Sequence, residues 1–89
     1  MIAWDNKDPD EVLDYTIDWE ARLDGDTIAT SAWTLPSGLS SSTDSNDDTT
    51  TTVRLAGGTA ETKYTIKNRI TTTDGRTMDE SAEIFVRER

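Results

Sequence analysis

Apolar and polar residues alternate strictly between residue 13 and residue 23. The apolar positions all have odd numbers: Leu13, Tyr15, Ile17, Trp19, Ala21 and Leu23. The residues between them are polar: Asp14, Thr16, Asp18, Glu20 and Arg22. A repeat of two is typical of a β-strand, because successive side chains of a strand point to opposite faces. The pattern predicts a strand over about residues 12–22, with one buried face and one acidic face exposed to water or to a partner.

Similar patterns predict strands along the rest of the chain, at about residues 26–35, 49–56, 62–72 and 76–88. Residues 39–43 are a candidate for a further short strand, whereas the polar residues 40–48 are expected to form a surface loop. The chain is rich in Thr, Ser, Val and Ile, which favour strands and turns. No segment fits a long helix.

The three residues Leu23-Asp24-Gly25 are predicted to join the first two strands as a hairpin loop that ends in Gly. The corresponding register places Trp33 opposite Tyr15, with both side chains in the core. It leaves Ile28 on the outer face, and this mismatch indicates a β-bulge near Ile28.

The last two strands are predicted to form a second hairpin with the same kind of loop, Thr73-Asp74-Gly75. Pairing of Thr72 with Arg76 places the apolar residues of both strands on one face: Tyr64, Ile66, Ile70, Met78, Ala82, Ile84 and Val86. Asn68 lies on that same face, so its side chain must find hydrogen-bond partners in the core.

Several short strands separated by turns predict an all-β protein, either a β-sandwich or a small barrel. Of these we expect an immunoglobulin-like antiparallel β-sandwich of about five to seven strands. The position of Tyr64 at the start of the penultimate strand is similar to the immunoglobulin layout. We expect Trp19, Trp33 and Tyr64 at the centre of the core. The predicted organisation is an N-terminal arm of residues 1–10 and a single domain of residues 11–89.

The composition excludes several classes of function. The 89 residues include no Cys and no His, so disulfides, thiolate metal sites and imidazole catalysis are excluded. We expect no cofactor. No segment approaches the roughly 20 apolar residues of a membrane helix, and residues 1–9 lack the basic start and apolar run of a signal peptide. We therefore expect synthesis in the cytoplasm and no membrane partner.

The net charge of -9 is unevenly distributed. Residues 1–26 carry nine acidic and two basic residues, whereas residues 63–89 carry six basic and five acidic residues. An acidic half repels phosphate backbones, so we expect no nucleic-acid partner. Solubility explains such a charge, but the asymmetry also suggests that the acidic end of one chain meets a neutral or basic end of a neighbour.

The carboxylates suggest two kinds of chemistry. Asp14, Asp18 and Glu20 share one predicted face, and neighbours on that face lie about 6.5–7 Å apart, a spacing that paired carboxylates of glycosidases also use. Any acidic strand face has the same spacing, so we expect no catalysis. Calcium is the better alternative, with three clusters as candidates: Asp5, Asp8, Asp10 and Glu11; Asp24 and Asp26; and Asp44, Asn46, Asp47 and Asp48. Turn formation explains these residues without a metal.

Two sets of residues are candidates for contacts with partners. Trp4 either folds back over an edge of the sandwich or anchors the chain to a neighbour, since Trp is frequent among residues that dominate binding energy. The other set consists of two oppositely charged stripes that would meet between copies: a basic stripe of Lys67 and Arg69, with Arg87 nearby, and an acidic stripe of Asp14, Asp18 and Glu20. Each exposed pair contributes only about 0–1 kcal/mol, but an array repeated around a ring would fix the register between copies.

Four segments together resemble a family of small tailed-phage virion proteins described as fibre–tail adaptors. The segments are residues 7–19, 25–39, 49–81 and 86–89, which cover most of the chain in a specific order. One departure is Glu61, at a position where Gly is frequent in that family, and we expect it to matter little in a turn.

The resemblance implies an immunoglobulin-like domain and a role in assembly. It indicates a non-enzymatic structural protein of a tailed bacteriophage particle, made in the bacterial cytoplasm and located in the virion. The protein would bridge virion components in the fibre–tail or head–tail region, with other virion proteins or further copies of itself as partners. The alternatives are a carbohydrate- or cell-surface-binding module and a capsid decoration protein. A carbohydrate module needs aromatic rings on an outer face, for which only Phe85 and Trp4 are candidates.

Overall fold

The computed structural model describes residues 2–88, and these residues form a sandwich of two β-sheets. The elements of this part of the chain are β1 (Ile2–Ala3), β2 (Leu13–Asp18), α1 (Glu20–Leu23), β3 (Ile28–Thr34), β4 (Leu39–Asn46), β5 (Thr50–Gly57), β6 (Thr62–Thr72) and β7 (Thr77–Val86). The four-stranded sheet has the order β1-β7-β6-β3, and the three-stranded sheet has the order β2-β5-β4. Only β1 and β7 pair in parallel among the described strands. The prediction of an all-β sandwich is confirmed.

The core between the sheets consists of two apolar clusters. One contains Tyr15, Leu39, Val53, Leu55, Tyr64, Ile66, Ile84 and Val86. The other contains Ile17, Trp19, Leu23, Ile28 and Ile70. Trp4 and Trp33 are half-buried and pack against both clusters, so they connect the two parts of the core.

The first predicted strand is too long. β2 ends at Asp18, Trp19 leaves the extended conformation with φ -99° and ψ -2°, and residues 20–23 form the short helix α1. Trp19 and Leu23 are both buried, whereas Ala21 is exposed. Two residues four positions apart share a face both in a strand and in a helix. The alternation of apolar and polar residues therefore extends past Trp19 into α1, where the backbone is no longer extended.

The predicted pairing of the first two long strands is also wrong. β2 pairs with β5 in one sheet, and β3 pairs with β6 in the other, so residues 24–27 cross between the sheets. This arrangement buries the apolar faces of both strands against each other, which a flat hairpin cannot do. A register shift between Ile28 and Thr30 marks the bulge that the Ile28 mismatch indicated, and Ile28 is buried together with the inward-facing Trp33.

The segment predicted to be a surface loop is mostly a strand. β4 continues from Leu39 to Asn46 and pairs with β5, with a register shift between Ser41 and Thr43. Leu39 is its one buried residue. Apolar alternation therefore could not reveal this strand, which is held by backbone pairing along one side.

The last two strands follow the predicted register. Pairing of β6 with β7 places Ile70 opposite Met78, Ile66 opposite Ala82 and Tyr64 opposite Ile84. The hydroxyl oxygen of Tyr64 accepts a hydrogen bond of 2.8 Å from the amide of Thr59. A tyrosine that reaches back to the preceding turn in this way is a known feature of immunoglobulin-like domains.

Asn68 finds its predicted partners in a buried polar network. Its Oδ1 accepts hydrogen bonds from Thr51 Oγ1 at 2.7 Å and from Trp19 Nε1 at 3.2 Å. Its Nδ2 donates to Ser31 Oγ at 2.9 Å and to the carbonyl oxygen of Ala32 at 3.0 Å. Asn68 and Thr51 are fully buried, and the network joins β6 and β3 of one sheet to β5 and the end of β2 in the other.

Residues 2–7 lie along β7. The amides of Trp4 and Lys7 donate to the carbonyl oxygens of Glu83 and Phe85 at 2.9 and 3.0 Å. Lys7 is fully buried, and its Nζ donates to the carbonyl oxygen of Gly57 at 2.6 Å. Burial lowers the pKa of Lys7. The division into an arm of residues 1–10 and a domain of residues 11–89 stays a prediction, with residues 2–7 placed against the sandwich.

Candidate functional site: two charged outer faces

The outer face of the three-stranded sheet carries Asp14 and Asp18 of the predicted acidic stripe. Asp14 lies opposite Arg54 of β5, and the two side chains form an exposed ion pair with Arg54 Nε 2.7 Å from Asp14 Oδ1. The hydrogen bond from Arg54 lowers the pKa of Asp14. The charge of Asp14 is thus partly balanced within the chain, and Asp18 is exposed at the end of β2.

Glu20 does not continue the acidic stripe along β2. It lies in α1, because the strand ends two residues earlier. Its amide donates a hydrogen bond of 3.0 Å to Asp18 Oδ1, so Asp18 satisfies one of the free amides at the start of this helical turn. The predicted alignment of Glu20 with Asp14 and Asp18 on one strand face is therefore wrong.

The outer face of the four-stranded sheet carries the basic stripe, Lys67 and Arg69 of β6. Both side chains pair with Asp79 of β7, which lies opposite Arg69. Arg69 donates two hydrogen bonds to the two oxygens of this carboxylate, at 2.8 and 3.0 Å, and Lys67 Nζ lies 3.6 Å from Oδ2. The hydrogen bond from Arg69, with further attraction from Lys67, lowers the pKa of Asp79 to about 2.

The two stripes lie on opposite outer faces of the sandwich, since one belongs to each sheet. A contact between them therefore joins different molecules. Arg87 lies just beyond the end of β7, whereas Lys67 pairs with Ser81. Six residues of strand span about 20 Å, so Arg87 is not part of the basic stripe, contrary to the expectation. It lines a polar surface cleft of about 460 Å³ together with Asp5, Asn6 and Glu88.

Trp4 lies against the edge of the sandwich. Its ring stacks on Tyr15 with a centroid distance of 4.8 Å and an interplanar angle of 25°, and it lies 6.2 Å from Trp33. This is the first of the two arrangements considered for Trp4. A partner would contact only the exposed part of a half-buried ring.

At least one carboxylate in each of the three candidate calcium clusters serves as a hydrogen-bond acceptor for nearby backbone amides. Asp47 accepts hydrogen bonds from the backbone and side chain of Thr50 and from the amide of Thr49, and these lower its pKa. Asp26 accepts a hydrogen bond from Thr72 and others from its neighbours, which lower its pKa as well. Within residues 2–88, no group of three or more carboxylates is arranged to hold a metal ion.

The geometry also lacks a carboxylate pair suited to glycoside hydrolysis on β2. Asp14 and Asp18 are four strand positions apart, about 13 Å, whereas such pairs are at most about 9.5 Å apart. In the described part of the chain, no helix is long and apolar enough to cross a membrane.

Asp79 is the main residue of these faces that the sequence interpretation missed. The predicted register of the last hairpin already places it opposite Arg69, so the pairing was available from the sequence. The Asp14–Arg54 pair was not, because it depends on the pairing of β2 with β5.

Residues 7–85 match the model of the family described as podophage GP4 fiber-tail adaptor protein gp77. The chain belongs to this family. The matched segment includes the six charged residues that lie on the two faces described above, and it includes the buried Lys7. The family is one of structural phage adaptors, in agreement with the resemblance of the four sequence segments.

The fold of this gp77 family member is similar to a solved structure, "Solution structure of the PKD domain from KIAA 1837 protein". The TM-score is 0.55 at 19% sequence identity, over 97% of this chain and 83% of that chain. The likeness concerns the fold alone and confirms the predicted immunoglobulin-like architecture. No curated protein matches the sequence.

Proposed function

We propose that this chain is a non-enzymatic structural component of a podophage virion that bridges the fibre and the tail. Its membership of the gp77 fiber-tail adaptor family over residues 7–85 is the observation that carries the proposal. The exposed, ion-paired carboxylates also suit contacts between proteins better than bond cleavage. The partners are other virion proteins or further copies of this chain, and the site of action is the virion.

We assign the contacts with partners to the two charged outer faces. Each face belongs to a different sheet, so one molecule can contact two neighbours at once, as a bridging protein must. Asp14 and Asp18 on one side and Lys67 and Arg69 on the other have opposite charges, which favours head-to-tail contacts. Arg54 holds Asp14 in place, and Asp79 holds Lys67 and Arg69 in place, without removing the exposure of these side chains.

A carbohydrate-binding module is the alternative from another class. Such a site needs aromatic rings on an exposed face. Among the described residues, Val12 is the one large hydrophobic side chain that is strongly exposed, at 55%. Phe85 and Trp4 are only partly exposed, so the surface favours assembly. A capsid decoration protein would use the same kind of surface at another place in the particle.

A charge-swap experiment in assembling phage tests the proposed contacts. One variant carries Lys67→Glu and Arg69→Glu, a second carries Asp14→Lys and Asp18→Lys, and a third carries all four changes. Incorporation into purified particles is measured by quantitative mass spectrometry. We expect each double variant to be depleted from particles. If the faces of two copies meet, incorporation of the fourfold variant should return to the wild-type level.

Depletion of the double variants without restoration would mean that each face meets a different virion protein. Normal incorporation of both double variants would contradict the assignment of contacts to these faces. Thermal melts of the purified variants control for loss of folding. We expect melting temperatures close to that of the wild type, because exposed ion pairs contribute only about 0–1 kcal/mol to stability.

A further inference from the structure

One segment of this highly charged chain carries no charge at all. Residues 27–43 contain neither acidic nor basic side chains, although 30% of all residues are charged. Every other internal interval between charged residues is six residues or shorter. The residues are also small or polar for the most part, with Thr, Ser and Ala at most of the exposed positions.

The structure places this segment along one side of the sandwich. It contains all of β3 and the first half of β4. On this side of the sandwich, β3 is an edge strand of the four-stranded sheet and β4 is an edge strand of the three-stranded sheet; β1 and β2 form the opposite edges. An edge strand has a row of backbone amides and carbonyl groups that its own sheet does not pair.

The two edges differ in their protection against pairing with another strand. β4 has a register shift in its middle, and Asp44 lies opposite the buried Val53, which places a charge on the inner side of the edge. Bulges and inward-pointing charges are the usual means of blocking an edge. β3 has a register shift only near its start, and Thr30–Thr34 pair regularly with β6. This part of β3 contains no charge, no Pro and no bulge.

We propose that the Thr30–Thr34 edge of β3 pairs antiparallel with the same edge of a second copy. A two-fold axis at Ala32 places Thr30 opposite Thr34 and Ser31 opposite Trp33 of the other copy. The outward side chains of Thr30, Ala32 and Thr34 are exposed and small, so two backbones can approach to the strand spacing of about 4.8 Å. The two four-stranded sheets then form one continuous sheet.

A second copy fits this edge because the pairing is self-complementary about the two-fold axis, and the absence of charge on β3 keeps the repulsion between two acidic chains low. Each chain has a net charge of -9, and the acidic residues occupy the segments on both sides of residues 27–43. Copies that approach through β3 keep these carboxylates apart, and charge depletion is typical of the centre of an interface. Ala32 and Thr34 lie opposite Arg69 and Lys67, so the contact lies beside the basic face, but it is made by the backbone of β3 and does not depend on the charges assigned above.

The test measures the oligomeric state of the full chain by light scattering during size exclusion and by native mass spectrometry. We expect the wild type to be in equilibrium between a monomer and a dimer, with a dimer fraction that rises over the tested concentrations up to about 1 mM, which covers dissociation constants as weak as about 1 mM. Salt should strengthen the dimer, since it screens the repulsion between two acidic chains. A contact between the charged faces would weaken in salt, so the two kinds of association are distinguishable.

The decisive variant is Ala32→Glu. Within one chain the new carboxylate lies opposite Arg69, so the fold is not expected to lose stability. Across the two-fold axis it faces another Glu, which disfavours strand pairing. The matched control is Thr16→Glu, which adds the same charge at an exposed strand position on the opposite side of the sandwich.

We expect Ala32→Glu to be monomeric and Thr16→Glu to remain dimeric. Amide hydrogen exchange provides a second measurement: the outward amides of β3 should exchange faster in Ala32→Glu than in the wild type at the same concentration. A wild type that is monomeric over the whole concentration range would overturn the proposal. Dimerisation of Ala32→Glu that matches the wild type would overturn it as well.

Discussion

The indole nitrogen of Trp19 lies 3.2 Å from Oδ1 of Asn68 and donates a hydrogen bond to it across the core. Trp19 follows the last residue of β2 in one sheet, and Asn68 lies in the middle of β6 in the other. Both residues are essentially inaccessible to water. The contact therefore fixes how the two sheets face each other, in addition to the apolar packing.

Replacement of the buried amide should destabilise the domain strongly. Asn68→Leu deprives Thr51 of its acceptor and Trp19 of one of its two acceptors, while the branching of the side chain is kept. We expect the free energy of unfolding to fall by about 2–3 kcal/mol, measured by urea denaturation. Thr51→Val is the control, because Trp19 and Asn68 stay paired, and its loss should be about 1 kcal/mol. Equal losses in the two variants would contradict the central position of Asn68.

Substitutions at two glycines distinguish the cost of backbone strain from the cost of a steric clash. Gly58 and Gly25 have φ values of +100° and +91°, but a Cβ at Gly58 would lie 2.8 Å from Val86 Cγ2, whereas a Cβ at Gly25 meets nothing within 4 Å. Gly25→Ala should cost about 1–2 kcal/mol from the backbone alone. Gly58→Ala should cost about 1–3 kcal/mol more, because it overpacks the core. Chemical denaturation of both variants measures the difference, and similar values would rule out the clash.

Glu61, the departure named in the sequence analysis, lies in a turn with an unusual backbone conformation. Its φ of 63° lies in the left-handed region that favours Gly, so we predict a modest cost in stability at this position. We expect Glu61→Gly to raise the free energy of unfolding by about 0.5–1 kcal/mol. Lys63→Gly, two residues further along in extended β6, should lower it by about 0.5–1 kcal/mol. A loss of stability in Glu61→Gly would show that the left-handed turn does not strain this residue.

Asp79 should contribute to the acid stability of the domain. Its pKa in the folded chain is about 2, below the ordinary value of 3.8. The stabilisation is therefore present above pH 3.8 and is lost as the pH falls through 2. Asp79→Asn should be less stable than the wild type at neutral pH, and the difference should decrease between pH 4 and pH 2.

Arg69→Gln removes the principal partner of Asp79 and serves as the control for this pH dependence. We expect the stability of Arg69→Gln to depend less on pH between 2 and 4 than that of the wild type. The double variant Asp79→Asn/Arg69→Gln should be hardly less stable than either single variant. Thermal melts recorded from pH 2 to pH 7 measure both effects. A wild type and an Asp79→Asn variant whose stabilities differ by a constant amount over this range would contradict the shifted pKa.

The sequence predicted the elements whose apolar residues alternate within one sheet. β6 and β7 follow the expected register because a tight loop and a one-sided apolar pattern define it together. The pattern could not reveal which sheet each strand joins, since a buried face looks the same opposite either partner. It also could not reveal α1, because Trp19 and Leu23 satisfy both periodicities.

The sequence predicted which charged residues lie on the surface better than it predicted how they are arranged there. Lys67 and Arg69 lie on an outer face as expected, since alternate residues of β6 point away from the core. Glu20 was misplaced because the strand ends before it, and the Asp14–Arg54 pair depends on a contact between strands far apart in sequence. Long-range pairing is therefore the information that the sequence alone lacked.

The most direct test of the central claim is cross-linking mass spectrometry on purified phage particles that carry this chain, with a reagent that joins carboxylates to amines without a spacer. Lys67 and Asp79 lie 3.6 Å apart within one molecule, so their link is the internal positive control. We predict peptides of this chain in the particle and links from Asp14, Asp18 or Lys67 to another polypeptide or another copy. Absence of the chain from purified particles, or links confined to single molecules, would contradict a bridging role in the virion.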